Sequence, residues 1–265
     1  MFRFLTLFPI VIASVLISCG PGVSGGDNSS VGPYAGEVIG TEGLVFYARM
    51  DESQGSISDF YGRAIGRDSG IFSYGLMGGM INNGNGPDQP NSAINFSANG
   101  CFYFGEVDAL SLQPPFTIMM MVNTVPQGGE TVIGKWGVSG NHSWRLTINA
   151  GPSVEFRYST DGIDDLTPVS IGVSPSSTWY HIAFVVGADG FIDLYSNGNG
   201  FSFNNGPLAG IFSGSSAAIT VGCDDNFGGF GNENNFSTGI YDEIAVFNRE
   251  LSADEIFRIN QARFN

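Results

Sequence analysis

Short segments of alternating apolar and polar residues, separated by turn residues, recur through the second half of this chain. Residues 145–148 and 154–158 alternate cleanly, and residues 179–186, 191–196 and 218–221 continue the series. Alternation is typical of antiparallel strands that place one face on a core and the other in water. The segments recur roughly every 8–14 residues, as in a β-sandwich. The sequence therefore predicts an all-β fold built from two antiparallel sheets.

The first half of the chain carries weaker strand signals. Residues 44–49, 93–96, 101–104 and 116–122 are predicted strands, and the last of them is almost wholly apolar. A continuous apolar strand indicates cover on both faces. Residues 62–92 contain clusters of Gly, Asn and Pro, and we predict a long loop there.

One helix signal stands close to the C-terminus. Ser252 precedes residues 253–261, and Glu255 follows Ser252 by three positions. This pattern is a capping box, in which the hydroxyl and the carboxylate each accept a hydrogen bond from a backbone N–H at the helix start. We predict one short C-terminal helix that closes an end of the sandwich.

Four segments of the last third occur in a characteristic order. They are residues 179–183 (WYHIA), 191–198 (FIDLYSNG, ending in an Asn-Gly hairpin signal), 239–249 (GIYDEIAVFNR) and 251–256 (LSADEI). In this order they resemble the laminin-G-like, concanavalin-A-like lectin-glucanase domain, over roughly residues 43–260. The resemblance implies a jelly-roll sandwich that recognises ligands at its surface. It does not imply which ligand, because members bind glycans, proteins and lipids through different loops.

The N-terminus has the features of a bacterial lipoprotein. Residues 4–17 are almost wholly apolar and follow Arg3. This run is short for a membrane span, which takes roughly 20 residues, but it suits a secretory signal. It ends in LISCG, which resembles a lipobox with Cys19 as the lipidated residue. We therefore predict a signal peptide at residues 1–18. The alternatives are an ordinary signal peptide with an incidental cysteine and a retained membrane helix.

The remaining chain divides into a tether and one domain. Residues 19–42 are rich in Gly, Ser and Pro, which predicts a flexible tether. Residues 43–265 form the predicted laminin-G-like domain, which is long enough for a substantial core. Gly20 follows the cysteine in place of an Asp. Under enteric-type sorting this favours the outer membrane as the part of the cell envelope that holds the lipid anchor.

The chain is acidic, with 25 Asp and Glu against 10 Lys and Arg and a net charge of −15. Nucleic acid phosphates are repelled by such a surface, so nucleic acid is not an expected partner. The carboxylates either keep an exported protein soluble or, in part, bind calcium. The resemblance implies one structural calcium ion at an edge of the sandwich, where Asp59 and Asp242 match by motif. The oxygen-rich segment 224–226 is a second option for calcium.

Two cysteines remain once Cys19 is assigned to a lipid. Cys101 and Cys223 both lie in apolar, strand-like segments. An exported protein meets oxidising conditions, which allow a disulfide between them. Two buried free thiols are equally compatible with the sequence.

No pattern in the sequence points to catalysis. Jelly-roll glycosidases present their carboxylates from one strand in a Glu-x-Asp-x-x-Glu pattern, which this chain lacks. His142 and His181 are the two histidines, and their separation offers neither zinc spacing nor a catalytic triad. We expect a protein that is not an enzyme. A diverged glycosidase or lyase is the remaining alternative.

Residues 224–236 (DDNFGGFGNENNF) mix aromatic side chains with carboxylates and amides. Aromatic rings cover the apolar faces of sugars, and sparse polar groups bind the hydroxyls. The predicted ligand-binding residues are Asp224, Asp225, Asn226, Phe227, Phe230 and Asn232. In the alternative interpretation the phenylalanines only pack the loop onto the core. Trp136 and Trp144 bracket another loop and are candidates for a stacking platform.

These features predict a cell-envelope lipoprotein whose domain binds carbohydrate or glycosylated surfaces without catalysis. The lipid anchor is the expected contact with the membrane. Protein–protein adhesion, or a structural role in the envelope, is the alternative function. The sequence leaves the ligand and the oligomeric state open.

Overall fold

The computed structural model describes residues 32–78, 92–97, 99–123, 130–149, 153–172, 179–202, 206–226 and 230–264. Within them lie the elements α1 (Pro33–Gly40), β1 (Leu44–Ala48), β2 (Ile57–Ser58), β3 (Ile65–Ser69), β4 (Phe72–Met77), β5 (Ser92–Phe96), β6 (Cys101–Gly105), a 3-10 turn (Asp108–Leu110), β7 (Phe116–Asn123), β8 (Glu130–Trp136), β9 (His142–Asn149), β10 (Ser153–Tyr158), β11 (Leu166–Gly172), β12 (Tyr180–Val186), β13 (Ile192–Ser196), β14 (Asn199–Ser202), β15 (Ile219–Val221), β16 (Gly239–Phe247) and α2 (Ala253–Ala262). The predicted signal peptide and Cys19 lie outside the described residues.

In the part of the chain that the structure describes, the strands form two antiparallel eight-stranded sheets. Sheet I has the order β14-β13-β12-β7-β16-β5-β4, with β1 also paired to β16. Sheet II has the order β11-β10-β9-β8-β15-β6-β3-β2. In both sheets, hairpin-connected strands lie beside strands from distant parts of the chain, as in β7 with β16 and β8 with β15, which is expected for a jelly roll. The predicted all-β, two-sheet sandwich with a short C-terminal helix is confirmed.

The main core lies between the two sheets. Strand β7 contributes side chains to both faces of sheet I. Ile118 and Met120 face sheet II, while Met119 belongs to a second apolar layer on the other side of sheet I. Its first seven residues are all buried. The prediction that this strand is covered on both faces is therefore confirmed. Each fully buried apolar side chain of this size contributes about 1.5–3 kcal/mol of transfer free energy.

Helix α2 begins with the predicted capping box. The Ser252 hydroxyl accepts a hydrogen bond from the Glu255 backbone N–H at 3.3 Å, and the Glu255 carboxylate accepts one from the Ser252 N–H at 2.8 Å. The prediction that this helix closes an end of the sandwich was wrong. It lies on the outer face of sheet I, because Ile256 and Ile259 pack into the apolar layer that also contains Ala183.

Helix α1 lies within residues 19–42, for which the sequence predicts a tether. The predicted boundary between tether and domain, after residue 42, was wrong. Tyr34, Ala35 and Val38 are buried in the same apolar layer as α2, and the two helices are in contact. An eight-residue helix is marginal on its own, so packing on sheet I is what stabilises α1. The folded domain thus includes residues from 32 onward. Neither helix of the described residues is long and apolar enough to cross a membrane.

Strands β3 and β4 lie where the sequence predicts a long loop, residues 62–92. Both are short and partly exposed; β3 joins sheet II beside β6, and β4 ends sheet I. Strand β3 has few apolar residues because its side chains on one face project into water. Its position matters for the site, because it forms one wall of a cleft.

Cys101 and Cys223 form a disulfide, with Cα atoms 5.5 Å apart and a sequence separation of 122 residues. Both side chains are buried. In the chain-entropy account, a cross-link over a loop of this length stabilises the fold by about 4–5 kcal/mol. The structure thus resolves the alternatives left by the sequence in favour of the disulfide.

Candidate functional site

The outer face of sheet II carries a row of paired residues that crosses five strands. Arg145 pairs with Gly134, Gly134 with Thr220, Thr220 with Tyr103, and Tyr103 with Arg67. Residues paired across antiparallel strands direct their side chains to the same face. Gly134 leaves room for Arg145, because a Cβ there would lie 2.6 Å from the Cβ of Arg145.

At the Arg145 end of this row, the outer face is covered by residues 222–226 and 230–238, which we call the covering loop. Asp224 anchors it, because its carboxylate accepts hydrogen bonds from Arg145 Nη1 at 2.5 Å, Thr131 Oγ1 at 2.6 Å and Asn235 Nδ2 at 2.7 Å. The Asp225 carboxylate accepts a hydrogen bond from the Ala218 N–H at 2.8 Å. Burial raises the pKa of Asp224, and the charge of Arg145 opposes that shift.

This geometry separates the predicted ligand-binding residues into two groups. Asp224 and Asp225 are buried, so their carboxylates hold the covering loop and do not face solvent. Asn226 is half-buried and Asn232 is exposed. Phe227 lies outside the described residues. Phe230 is 42% exposed and is the aromatic side chain that the described part of the loop presents to solvent most fully.

Phe230 lies at the open end of the row, where a cleft of about 340 Å³ is lined by Ile65, Arg67, Tyr103, Phe104 and Gly105. The ring of Phe230 meets the ring of Tyr103 edge to face, with centroids 5.9 Å apart. The Arg67 guanidinium carbon lies 4.7 Å from the Phe230 centroid and 6.0 Å from that of Tyr103. We call Arg67, Tyr103 and Phe230 the aromatic platform.

Tyr103 has both positively and negatively charged side chains near it, and they shift its pKa in opposite directions. Burial is the largest cause that raises its pKa, and the carboxylates of Asp225, Glu233 and Glu106 raise it further. Arg67 lowers it. The phenol therefore stays protonated at neutral pH and can both donate and accept a hydrogen bond.

The sequence analysis missed Arg67 and Tyr103. Tyr103 is the half-exposed position between buried Phe102 and Phe104, so the alternation of that strand carries the signal. Arg67 could not be found in this way, because its strand was predicted to be loop.

The two tryptophans are not a stacking platform. Trp136 is 3% exposed and Trp144 is fully buried. Trp136 lies between His142, stacked at 4.3 Å, and the guanidinium of Arg145, also at 4.3 Å. It therefore supports the side chain that anchors the covering loop.

The structure places the two predicted calcium ligands in different surroundings. The Asp59 carboxylate accepts hydrogen bonds from the Tyr47 N–H at 2.9 Å and from Arg63 Nε at 2.9 Å. Asp242 is fully buried on the outer face of sheet I. Among the described residues, no group of three or more His, Cys, Asp or Glu side chains is arranged to hold a metal ion. The surroundings of Asp59 do not favour calcium there, and a structural calcium ion stays a prediction.

A layer of buried polar residues lies between α1 and sheet I. His181 and Asp242 both pair with Met121, and the ring of Tyr34 from α1 meets the ring of His181 at 5.9 Å. Burial, followed by the charge of Arg263, lowers the pKa of His181 to about 3. Glu243 accepts a hydrogen bond from the Tyr47 hydroxyl. Asp242 and Glu243 are thus neighbouring buried carboxylates, but they are enclosed by protein and line neither the cleft beside Arg67 nor the cleft beside Arg49.

A second cleft, of about 290 Å³, is lined by Arg49, Asp51, Glu52, Ser58 and Phe60. Its cation is already paired, because Arg49 Nη2 lies 2.7 Å from Asp51 Oδ2. It has one aromatic residue, so the aromatic platform is the better candidate for ligand recognition.

The fold defines a jelly-roll protein. Residues 103–257 match the laminin-G-type profile described as the concanavalin A-like lectin/glucanases superfamily. The chain belongs to this family, which confirms the resemblance seen in the sequence. No curated protein sequence matches the chain.

Solved structures share the fold at low sequence identity. Domain 4 of AbnA, an extracellular GH43 arabinanase from Geobacillus stearothermophilus in complex with arabinotriose, is 17% identical with a TM-score of 0.59, covering 82% of this chain and 98% of that domain. The binding domain of botulinum neurotoxin DC in complex with SialylT is 13% identical with a TM-score of 0.51, and the match covers 84% of this chain and 51% of the neurotoxin domain. Trypanosoma rangeli sialidase in complex with sialic acid is 13% identical with a TM-score of 0.53, and the match covers 84% of this chain and 33% of the sialidase. This chain spans about half the length of the neurotoxin binding domain.

Proposed function

We propose that this protein is a non-catalytic carbohydrate-binding module that recognises glycans or glycosylated surfaces at the aromatic platform. One observation carries the proposal: Arg67 and half-exposed Tyr103 line an open cleft of about 340 Å³, and the exposed ring of Phe230 contacts both side chains. Membership of a lectin/glucanase family is consistent with it. Domain 4 of the arabinanase, which shares the fold, is described in complex with arabinotriose.

The chemistry of the platform suits a sugar ring. The faces of Tyr103 and Phe230 can cover the apolar C–H surface of a sugar, and the Tyr103 hydroxyl and the Arg67 N–H groups can bind its hydroxyls. The covering loop is held by the three hydrogen bonds to Asp224. A loop fixed before binding loses less conformational entropy when the ligand arrives.

The location of the protein is the second part of the proposal. We infer that Cys19 is lipidated and that the domain is displayed at the cell envelope, with the outer membrane favoured. A multiply acylated cysteine anchors firmly, because each buried methylene contributes about 0.8 kcal/mol. Labelling of producing cells with an alkyne fatty acid should mark the wild-type protein and leave Cys19→Ser unmarked. Equal labelling of both proteins would contradict the lipid anchor.

Glycan binding is tested with the soluble chain that starts at residue 19 and carries Cys19→Ser, secreted so that its disulfide forms. A glycan array identifies ligands, and calorimetry measures Kd for the best of them. We expect Tyr103→Ala and Phe230→Ala each to weaken binding at least fivefold, since well-packed aromatic residues contribute about 1 kcal/mol or more. Phe257→Ala is the matched control, because Phe257 is an exposed phenylalanine on α2 (52% exposed).

The other outcomes are equally informative. Full binding by both platform variants would place the glycan elsewhere. An array with no hits would contradict glycan binding and favour protein adhesion. Release of shortened sugars on incubation with the ligand would contradict the non-catalytic role. Binding that needs calcium and fails with a chelator would support a calcium ion at or near the site.

A further inference from the structure

We propose that the glycan bound at the aromatic platform carries a single carboxylate and that Arg67 recognises this group. The inference rests on the proposed glycan-binding function and names the chemical class of the ligand. It identifies Arg67 as a specificity-determining residue of the cleft.

Arg67 differs from most arginines of the described residues in having no acidic partner. Ion pairs are formed by Arg49, Arg63, Arg145, Arg157 and Arg249. Within the part of the chain that the structure describes, Arg67 forms none, although Asp and Glu outnumber Lys and Arg by 25 to 10. Its described contacts are with the rings of Phe230 and Tyr103, at 4.7 and 6.0 Å from their centroids.

The contact of the Arg67 guanidinium with aromatic rings preorganises it to bind a carboxylate. The N–H donors of a guanidinium lie in its plane, so rings that cover a face of the group leave those donors available. A carboxylate accepts two of them in parallel, which fixes both distance and orientation. The rings also restrict the arginine side chain before the ligand arrives, which reduces the entropic cost of binding. Tyr103 lines the same cleft as Arg67, so a sugar ring on Tyr103 can present its carboxylate to Arg67.

The remaining charges restrict the ligand to few acidic groups. Glu106, Glu233 and buried Asp225 act on Tyr103 with the sign opposite to that of Arg67. The whole chain has a net charge of −15. One carboxylate can be neutralised by Arg67, but a densely charged polyanion would be repelled by the rest of the surface. The geometry therefore points to a saccharide with an isolated carboxylate, such as a uronate or sialate unit.

Calorimetry on the same soluble chain tests this inference. The probes are a glucuronate-containing and a sialate-terminated oligosaccharide, each compared with its neutral carboxyl-reduced counterpart, and a heavily sulfated polysaccharide. We expect one acidic probe to bind roughly 10–100 times more tightly than its neutral counterpart, the range for a charge-assisted hydrogen bond. Arg67→Gln should remove this preference and leave the neutral probe within about threefold. Arg67→Lys should retain part of it, because it keeps the charge but loses the planar fork.

Arg258→Gln is the matched control, since Arg258 is exposed on α2 and should not affect the preference. Equal binding of acidic and neutral probes, with Tyr103→Ala weakening both, would overturn the carboxylate inference and leave glycan binding intact. Failure of these oligosaccharides and of every glycan on the array would overturn both. Tightest binding to the sulfated polysaccharide would overturn the restriction to a single carboxylate. A preference that survives in Arg67→Gln would overturn the role of Arg67.

Discussion

The buried histidine of sheet I should make this domain less stable in acid. His181 is fully buried, and within the described residues neither of its ring nitrogens has a hydrogen-bond partner. Its pKa falls from 6.5 to about 3 on folding, because burial and then Arg263 disfavour the charged ring. Below pH 6.5 the unfolded chain binds a proton at this position that the folded protein does not bind. His181 therefore does not reduce the unfolding free energy above pH 6.5, and it reduces that free energy progressively as the pH falls towards 3.

The size of the effect follows from the two pKa values. Each pH unit between them costs about 1.4 kcal/mol, so the loss approaches roughly 4 kcal/mol near pH 3.5. A small domain is typically stable by about 5–15 kcal/mol, so this residue alone can remove a large part of the total. His181→Leu removes the titrating group and places an apolar side chain beside Met121. At pH 7 it should be close to neutral in stability, because it also removes a buried polar group without partners.

Urea unfolding of both proteins between pH 7.5 and 4, with the disulfide intact, measures this effect. The carboxylates titrate in both proteins, so the difference in unfolding free energy isolates His181. We expect this difference to change by about 1.4 kcal/mol per pH unit below pH 6, in favour of His181→Leu. His142→Gln is the control and should follow the wild type. A difference that stays constant from pH 7.5 to 4 would refute the explanation.

Three further changes test the packing of the domain. Tyr34→Ala should lower the unfolding free energy by about 3–5 kcal/mol in urea titrations, as for other aromatic residues of a core. An unchanged unfolding free energy would show that α1 belongs to the tether and not to the folded domain. Arg145→Met should cost about 3–5 kcal/mol, because it leaves Asp224 buried without its cation; Asp224→Asn in the same background should recover part of this loss, and no recovery would show that the charge is not the cause. Replacing Cys101 and Cys223 together by Ser should cost about 2–5 kcal/mol, and a protein that unfolds at unchanged urea concentration would contradict a structural role for the disulfide.

Local patterns in the sequence were enough for much of the fold. Strand alternation and the capping box at Ser252 depend on neighbours within a few residues, and both were predicted correctly. Helix α1 could not be predicted in this way, because its stability comes from Ala245 and Ile259, which are about 200 residues away in the chain. Strand β3 was missed because its pairing with β6, and not its composition, makes it a strand.

The sequence assigned Asp224 and Asp225 to ligand binding, but the fold buries both carboxylates. Asp224 and Asp225 stand in a segment rich in Gly and Asn, where carboxylates are usually solvated. Their burial depends on Arg145 and Ala218, and Arg145 lies on a strand 79 positions earlier. Phe230 was identified because an aromatic residue in such a loop is informative by itself. Arg67 and Tyr103 complete the platform only after two distant strands have paired.

The disulfide also has a consequence for when the cleft is complete. Cys101 lies two residues before Tyr103 on β6, and Cys223 precedes Asp224 at the root of the covering loop, so the bond ties together the segments that bear the two aromatic rings. In the reducing cytosol such a bond does not persist. Under the export proposed above, a newly made chain would acquire a fixed spacing between Tyr103 and Phe230 only in the oxidising compartment, where the disulfide can form.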